Sequence, residues 1–410
     1  MRTLHLREHR PEFGVPLGRD EVDLLRGLGA VLQIQPTRAR PGHFDLTPGA
    51  HVGVVRVGDL TLAIAPKLPL ARVLFLLSYA MDGRWWRDDE VSLPEDGDLL
   101  EALVPFYARA VRRALRRGVL QGYRTVEEAL PLVRGRLRIE DQIRRRHGRM
   151  LPAEVRYDDF TVDIEANRLL LAAAWRLHRL PLRSAQARRL LREIEAALVG
   201  VTEVRYGARN LPAVAYDRLN AHYRPAVELA RLILQSTSWD LGDGRVSASA
   251  CLIDLSVVFE AFVVRALREQ LGLSERALRQ GERLWLDVDR RVALRPDLSW
   301  WHAGRPVFVG DVKYKRLAEG GVKHADVYQV LAYAVATDLP GALLVYAAGE
   351  AEPARHHVVH ADKLVQVVAV DLGGPMAAVR AEVQRVAGLV AGSARQATSD
   401  LPRSRARPRR

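Results

Sequence analysis

Hydrophobic and polar positions change their period along this chain, and the changes divide it into regions. Near the N-terminus, Val52–Val57 and Leu60–Ala65 are two β-branched runs flanking Gly58-Asp59, which predicts two strands joined by a tight hairpin turn. Pro66 ends the second run, because proline offers no ladder donor. Helical periodicity follows over Leu70–Met81 and, past the Pro/Asp/Gly-rich loop Asp88–Asp98, over Leu99–Arg117. Ala/Leu/Arg-rich stretches from Asn167 to Gly200 and from Arg218 to Ser236 predict further helices, and the polar, Gly-containing Ser236–Ser249 reads as a linker. Beyond it the order becomes helix, strand, strand, helix, strand. The expected fold class is therefore α/β (mixed α+β), with a β-rich N-terminal region at 1–98, a mainly helical middle at 99–240 and a C-terminal α/β domain at 241–392. Residues 393–410 are rich in Ser, Pro and Arg and lack apolar anchors, so they are expected to be a disordered basic tail.

Composition narrows the class. At 410 residues and 48% hydrophobic the chain can bury a sizeable core, which excludes a disordered or fibrous protein. The net charge is +13; Ser393–Arg410 contributes six Arg against Asp400, a net of +5, so the body is itself basic. A basic body favours a polyanionic partner, since Lys and Arg gain affinity by displacing counterions from phosphate. The single cysteine, Cys251, excludes an intramolecular disulfide and a Cys-based zinc site. No run approaches a membrane span and the N-terminus lacks a signal-peptide core, so the expected location is cytoplasmic. Arg109, Arg112, Arg113, Arg116 and Arg117 line one side of the 99–117 helix, with Leu103, Phe106, Ala110 and Ala114 elsewhere. They read as the solvated face of an amphipathic helix in preference to a phosphate-facing stripe.

The chemistry-bearing residues lie further on. Arg291–Trp301 and Pro306–Tyr314 are apolar-rich runs joined by His302-Ala303-Gly304-Arg305. As a hairpin symmetric about Gly304, position i faces position 608 minus i, which sets Asp297 opposite Asp311 on one face. The two-residue period puts Val307, Val309, Asp311 and Lys313 on one side and Phe308, Gly310, Val312 and Tyr314 on the other. Two acids and a lysine thus converge on an apolar sheet, an expensive arrangement unless the charges are paired or bind a metal. Paired carboxylates suit a hard, oxygen-seeking cation such as Mg²⁺, which also takes a substrate phosphate oxygen. Lys313 can orient water, neutralise charge on a scissile phosphate or, with a pKa lowered by burial, act as a base. Glu260 stands on an apolar helix, Leu255–Leu267, where a carboxylate is unexpected unless it faces a site. Gln329 and Tyr333, four apart on a helix of about Ala325–Ala336, can contact phosphate or orient Lys313.

Pro296-Asp297, then Asp311-x-Lys313 on the next strand, then Gln329-x-x-x-Tyr333 on a helix resembles the PD-(D/E)XK nuclease superfamily in its RecB-like variant. Val52–Leu68, Leu132–Leu137, Tyr157–Leu170, Arg218–Tyr223, Val258–Val263, Leu294–Leu298, Asp311–Lys315 and Asp326–Ala334 carry the likeness further. Over nearly its whole length the chain resembles the McrC family, nuclease subunits of McrBC-type modification-dependent restriction systems. The resemblance implies a PD-(D/E)XK restriction-endonuclease-like core, metal-binding acids at Asp297 and Asp311, a catalytic Lys313, a helix acid at Glu260, and Gln329 and Tyr333 in support. It implies Mg²⁺ or another divalent cation as cofactor, methylated DNA as substrate, and an McrB-like AAA+ GTPase ring as the partner that reads modified cytosine. The N-terminal region, to about residue 240, is then the part that engages the ring. Gly310 departs from the family, which has a branched apolar residue there, so looser strand packing is expected. The tail lies outside the resemblance.

No G-x-x-x-x-G-K-[ST] cradle occurs, so any nucleotide dependence is expected to belong to the partner. His356, His357 and His360 sit beside Val358-Val359 on an expected strand that points His356 and His357 to opposite faces, which disfavours a metal site. Two other readings remain open on the sequence: a non-catalytic GTPase-activating subunit, and a repair-type PD-(D/E)XK nuclease without an AAA+ partner.

Overall fold

The computed structural model describes residues 2–29, 31–38, 40–81, 99–207, 210–236, 248–314, 324–347 and 354–399. The chain forms two compact units: Met1–Pro48, Val52–Ala65 and Asp96–Ile253 make the first, and Gly49–His51, Pro66–Glu95 and Asp254–Arg410 the second.

The first unit opens with β1 (Arg2–Arg7), β2 (Glu12–Pro16), α1 (Arg19–Arg26), β3 (Leu32–Pro36), β4 (His43–Pro48), β5 (His51–Val57) and β6 (Leu60–Ala65). The expected β5–β6 hairpin is present, with Val57 opposite Leu60. Strand β1 adds to β6 in parallel, while β2, β4 and β3 form a separate antiparallel sheet. Alternate residues of both sheets and of α1, including Leu6, Val15, Val22, Leu25, Leu46 and Leu62, close one apolar core, as period-2 and period-3.6 patterning requires.

After α2 (Leu70–Met81), the helices α3 (Leu99–Ala114), α5 (Glu165–His178), α6 (Ala185–Ala197) and α7 (Arg224–Ser236) fall where the periodicity places them, with α4 (Ile139–Arg146) inserted between two strands. The α3 arginines are exposed while Leu103, Phe106, Ala110 and Ala114 are buried, so the solvated-face reading holds. Strands β7 (Gly122–Leu130) and β9 (Ala153–Thr161) form a nine-residue antiparallel arm, joined on β9 by β8 (Arg136–Leu137). Asp163 clamps the base of the arm. It accepts two hydrogen bonds from Arg168 at 2.7 Å and others from the Thr202 amide at 2.8 Å and hydroxyl at 2.7 Å, and it pairs with Arg124. These donors, Arg168 foremost, hold its carboxyl well below the ordinary range. Beyond the clamp the arm exposes Tyr123, Leu132, Val133, Ile139, Ile143 and Met150, the last at 86%. The linker expected at Ser236–Ser249 lies mostly outside the described residues; β10 (Ala248–Asp254) follows it beside β5.

The second unit is built on a six-stranded sheet of order β11-β14-β15-β16-β18-β17. Helix α8 (Leu255–Leu271) precedes β11 (Leu278–Arg279), a short ribbon of β12 (Leu284–Trp285) and β13 (Ala293–Leu294), then β14 (Leu298–His302) and β15 (Arg305–Lys313). Next come α9 (His324–Ala336), β16 (Gly341–Ala347), β17 (Ala354–Val358), β18 (Lys363–Val370) and α10 (Met376–Ser399). Strands β15, β16 and β18 run parallel, and β14 and β17 are antiparallel. Helices cover both faces, so the central strands read as continuous apolar runs such as GALLVYA in β16. Phe259 of α8 meets Tyr314 at 5.8 Å between ring centroids, whereas Tyr333 of α9 packs with Val309 and Leu344; the two helices take opposite faces. Helix α2 belongs to this unit, where Phe75 and Tyr79 stack edge-on against Phe262 of α8.

Two expectations are corrected here. The chain does not lose structure after Gly392: α10 runs to Ser399, because Val379, Val383, Val386 and Val390 carry an apolar stripe that Ala394 continues. Residues 400–410 lie outside the described ones. Nor is the sheet loose at Gly310. A Cβ there would stand 2.8 Å from the Leu343 carbonyl oxygen and 3.2 Å from Phe308 Cζ, so glycine is what lets β15 and β16 approach. His356 and His357 occupy successive positions of the edge strand β17, and both are exposed. No helix among the described residues is long and apolar enough to cross a membrane.

Candidate active site

The site begins with how β14 meets β15. The turn residues Ala303 and Gly304 both have positive φ, 49° and 78°, which makes a two-residue turn with His302 opposite Arg305 and Trp301 opposite Pro306. The symmetry about Gly304 expected from sequence therefore fails at the turn. A bulge between Trp300 and Trp301 then restores it, with Trp300 opposite Phe308, Ser299 opposite Val309 and Leu298 opposite Gly310. Pro306 lacks an N–H, and the extra residue Val307 absorbs the mismatch. Asp297 is one position before the start of β14. Its Oδ2 accepts the Val312 N–H at 2.8 Å, so a carboxylate takes up the bond that a continued strand would have made.

Asp311 is 1% exposed, and its Oδ2 lies 2.5 Å from Lys313 Nζ. Its Oδ1 is 3.3 Å from the Tyr333 hydroxyl, which also faces the Arg295 carbonyl at 3.2 Å and accepts from Gln329 Nε2 at 2.8 Å. Gln329 and Tyr333 thus position Asp311, where the sequence alone suggests contact with phosphate or orientation of Lys313. Glu260 comes from α8 and accepts from Gln280 Nε2 at 2.8 Å. The structure brings Glu260, Asp297, Asp311, Lys313, Gln329 and Tyr333 to one end of the sheet.

Their electrostatics follow from crowding. Burial, then the charges of Asp311 and Glu260, push the Asp297 carboxyl up to about 8, against the Val312 hydrogen bond and Lys313. Burial works against the Lys313 ammonium, but Asp311, Asp297 and Asp326 outweigh it and raise its pKa above the ordinary value. Burial and then Asp311 raise Tyr333. The lowered lysine pKa entertained from sequence is therefore not the state of this site; Lys313 is a charged ammonium. Asp326, on α9, was missed. It is buried, accepts from the Tyr346 hydroxyl at 2.7 Å, and stands three residues before Gln329. The signal was the polar stripe Asp326, Gln329, Tyr333 on an otherwise apolar helix. Gln280 carried no comparable signal. Lys315 lies outside the described residues.

Among the described residues no group of three or more His, Cys, Asp or Glu closes into a metal cage, and Asp297 and Asp311 are the pair available. Two carboxylates leave most positions of a hard octahedral cation to water and substrate oxygen, the usual mode for Mg²⁺. The donor chemistry fits: all oxygen, one carboxylate oxygen fixed by a backbone N–H and one carboxylate fixed by a tyrosine.

No curated protein sequence matches the chain. A chain of the refined half-complex from the tetradecameric assembly of Thermococcus gammatolerans McrB AAA+ hexamers with bound McrC is 18% identical, with a TM-score of 0.56 over 95% of this chain and 100% of that one. A chain of the cryo-EM structure of the Thermococcus gammatolerans McrBC complex is 20% identical and covers 66% of this chain and 88% of that one, with a TM-score of 0.41. The first likeness shows a shared fold. The family model for the McrBC 5-methylcytosine restriction system component matches residues 46–347, a span that takes in every site residue named above. On that match, over well more than half its length, the chain belongs to the McrBC family of 5-methylcytosine restriction system components.

Proposed function

We propose that this chain is the DNA-cutting subunit of a GTP-dependent, modified-cytosine-directed restriction complex, a metal-dependent endodeoxyribonuclease that also stimulates an AAA+ GTPase partner of the McrB kind. The observation that carries this reading is the crowding of Asp297, Asp311 and Glu260 around one ammonium, with the Asp297 carboxyl pushed up to about 8 by burial first and then by the two neighbouring acids. Asp297 and Asp311 would hold the divalent cation, Mg²⁺ first. Such a cation supplies Lewis acidity toward the scissile phosphoryl group and makes a nearby water more acidic. Lys313, fixed by Asp311, presents a positive charge where negative charge builds on the phosphate. Tyr333, held by Gln329, keeps Asp311 in place, and Gln280 does the same for Glu260.

The first unit supports the partner side of the reading. Large apolar side chains exposed along the β7–β9 arm and its connecting segment, Leu132, Val133, Ile143 and Met150 among them, are a surface of the kind that marks protein association. We assign residues 1 to about 240 to contact with the ring. Nucleotide binding is assigned to the partner, since no G-x-x-x-x-G-K-[ST] occurs in the sequence.

The test is co-expression with the AAA+ partner and assay of methylated and unmethylated duplexes with GTP and Mg²⁺. Asp311→Ala should abolish cleavage while partner binding and GTP hydrolysis persist. Cleavage by that variant would remove the proposal. A wild-type complex that turns over GTP but nicks no DNA with any divalent ion would leave a non-catalytic activator.

A further inference from the structure

The β12–β13 ribbon lies between Gln280 and Asp297, and nothing in the site's chemistry requires it. Its stem is anchored: Leu284 and Leu294 pack against the core beside Val327 and Leu331 of α9, and Gly281 N–H donates to the Pro296 carbonyl at 3.0 Å. Its tip is ordered by one side chain. Both Asp287 carboxylate oxygens accept the Arg291 amide at 3.0 Å, Oδ1 also accepts the Val292 amide at 2.7 Å, and the Leu286 amide closes onto the Val292 carbonyl at 3.0 Å. Arg290 adopts left-handed backbone, φ 58°. This rigid tip presents Val288 fully exposed, at 100%, with Leu286 and Val292 also exposed. Arg283, Arg290, Arg291 and Arg295 are exposed around it, with exposed Asp289 beside Val288 and 3.7 Å from Arg291.

A fully solvated valine on an ordered, arginine-flanked turn has no reason to be there for folding. We infer that the β12–β13 ribbon is a DNA-contacting element that enters the major groove of the duplex beside the scissile phosphate, Val288 against base edges and Arg290 and Arg291 on flanking phosphates. Width supports the groove. Two paired strands about 5 Å apart, with side chains, fit a major groove about 12 Å wide and not a minor groove about 6 Å wide. Reach supports the position. Val288 is nine positions before Asp297, so at about 3.3 Å per residue the tip lies within about 30 Å of the site, less than one helical turn of about 34 Å. Apolar side chains meet thymine methyl groups in that groove, and arginines anchor the backbone.

The inference rests on the cleavage reading above, and its test separates the two. The full complex with its AAA+ partner carries p-benzoylphenylalanine at Val288 and is irradiated on duplex DNA with Ca²⁺ in place of Mg²⁺. A DNA crosslink within one helical turn of the position cut with Mg²⁺ is expected. Arg290→Asn, which tolerates left-handed backbone, combined with Arg291→Gln should lower the slope of log K against log salt by about 1.8, the value for two phosphates. The same pair should weaken DNA binding about 10-fold at moderate salt, with partner GTP hydrolysis unchanged. Wild-type cleavage with no DNA crosslink, with the crosslink going to the partner protein, or with an unaltered salt slope overturns the ribbon assignment alone. A crosslink from a complex that never cuts supports the ribbon and removes the cleavage reading.

Discussion

The Asp297 carboxyl gives the sharpest physical test of the site. Its ordinary value of 3.8 is raised to about 8 by burial and by Asp311 and Glu260. Between those values the folded chain holds a proton that the unfolded chain has released. The stability associated with that proton is fully present below about pH 4 and is lost as pH rises through 8. At about 1.4 kcal/mol per pH unit the displacement is worth at most about 6 kcal/mol. Partial exposure of Asp297 and solvent screening reduce this to about 2–3 kcal/mol. Asp297→Asn removes the titration but keeps an oxygen to accept the Val312 N–H. In EDTA, the variant should therefore melt with wild type at pH 5 and about 5–10 °C above it at pH 8, at about 2–4 °C per kcal/mol for a unit of this size.

Added Mg²⁺ should reverse the order. A divalent ion needs Asp297 ionised, so binding displaces about one proton and its stabilisation of wild type grows from pH 6 to pH 8. Asp297→Asn should gain nothing from Mg²⁺ and should not cut. Thermal unfolding at four pH values, with EDTA and with Mg²⁺, reads all of this. A metal-free wild type that is as stable at pH 8 as at pH 5, or an Asn variant that melts below it at pH 8, refutes the reasoning.

Other outcomes follow from the same geometry. Lys313→Gln should reduce cleavage at least about 100-fold, the scale of losing one preorganised charge at a developing anion, while Mg²⁺ still shifts the melting midpoint; single-turnover cleavage measures it. Tyr333→Phe removes the hydroxyl between Gln329 and Asp311, and denaturant unfolding should show a loss of about 1–2 kcal/mol with the fold intact. Gly310→Val should destabilise by about 2–3 kcal/mol or more through collision with the Leu343 carbonyl, read as a lowered denaturation midpoint with an unchanged slope.

Much of this architecture was legible because periodicity is a local property. The β5–β6 hairpin, α2, α3 and the strands around Asp297 and Asp311 each announce themselves by apolar spacing. The pairing of i with 608 minus i reached the right partners by a route the structure does not take. The turn is one residue tighter than expected, and the bulge at Val307 compensates. No spacing rule reveals such cancellation, because it depends on Ala303 adopting positive φ. The role of Gln329 and Tyr333 was also beyond the sequence: a helix face says which residues share a side, not which acceptor they meet. At Gly310 the sequence showed a missing side chain but not the carbonyl that fills its place. The extension of α10 was readable, but the Ser and Arg content of the tail drew attention from an apolar stripe that continues past Gly392.

The cluster itself argues against a structural role. Apolar residues of similar volume would stabilise the sheet end better than three acids and one ammonium. The fold nevertheless fixes these groups from four places: α8 for Glu260, the approach to β14 for Asp297, β15 for Asp311 and Lys313, and α9 for Tyr333. Even with Asp297 protonated, Asp311 and Glu260 outweigh Lys313 by one negative charge, and an approaching phosphodiester adds another. The site as built should repel its substrate. Productive DNA binding must then be linked to a cation, with the arginines of the β12–β13 ribbon supplying attraction from outside. Binding of uncut duplex by the full complex should therefore strengthen several-fold when Ca²⁺ replaces EDTA, as mutual linkage of two ligands requires. That gain should be lost in Asp297→Asn, which lacks the carboxylate that would hold the cation. Equal binding with and without the divalent ion would mean that these carboxylates never face the phosphate.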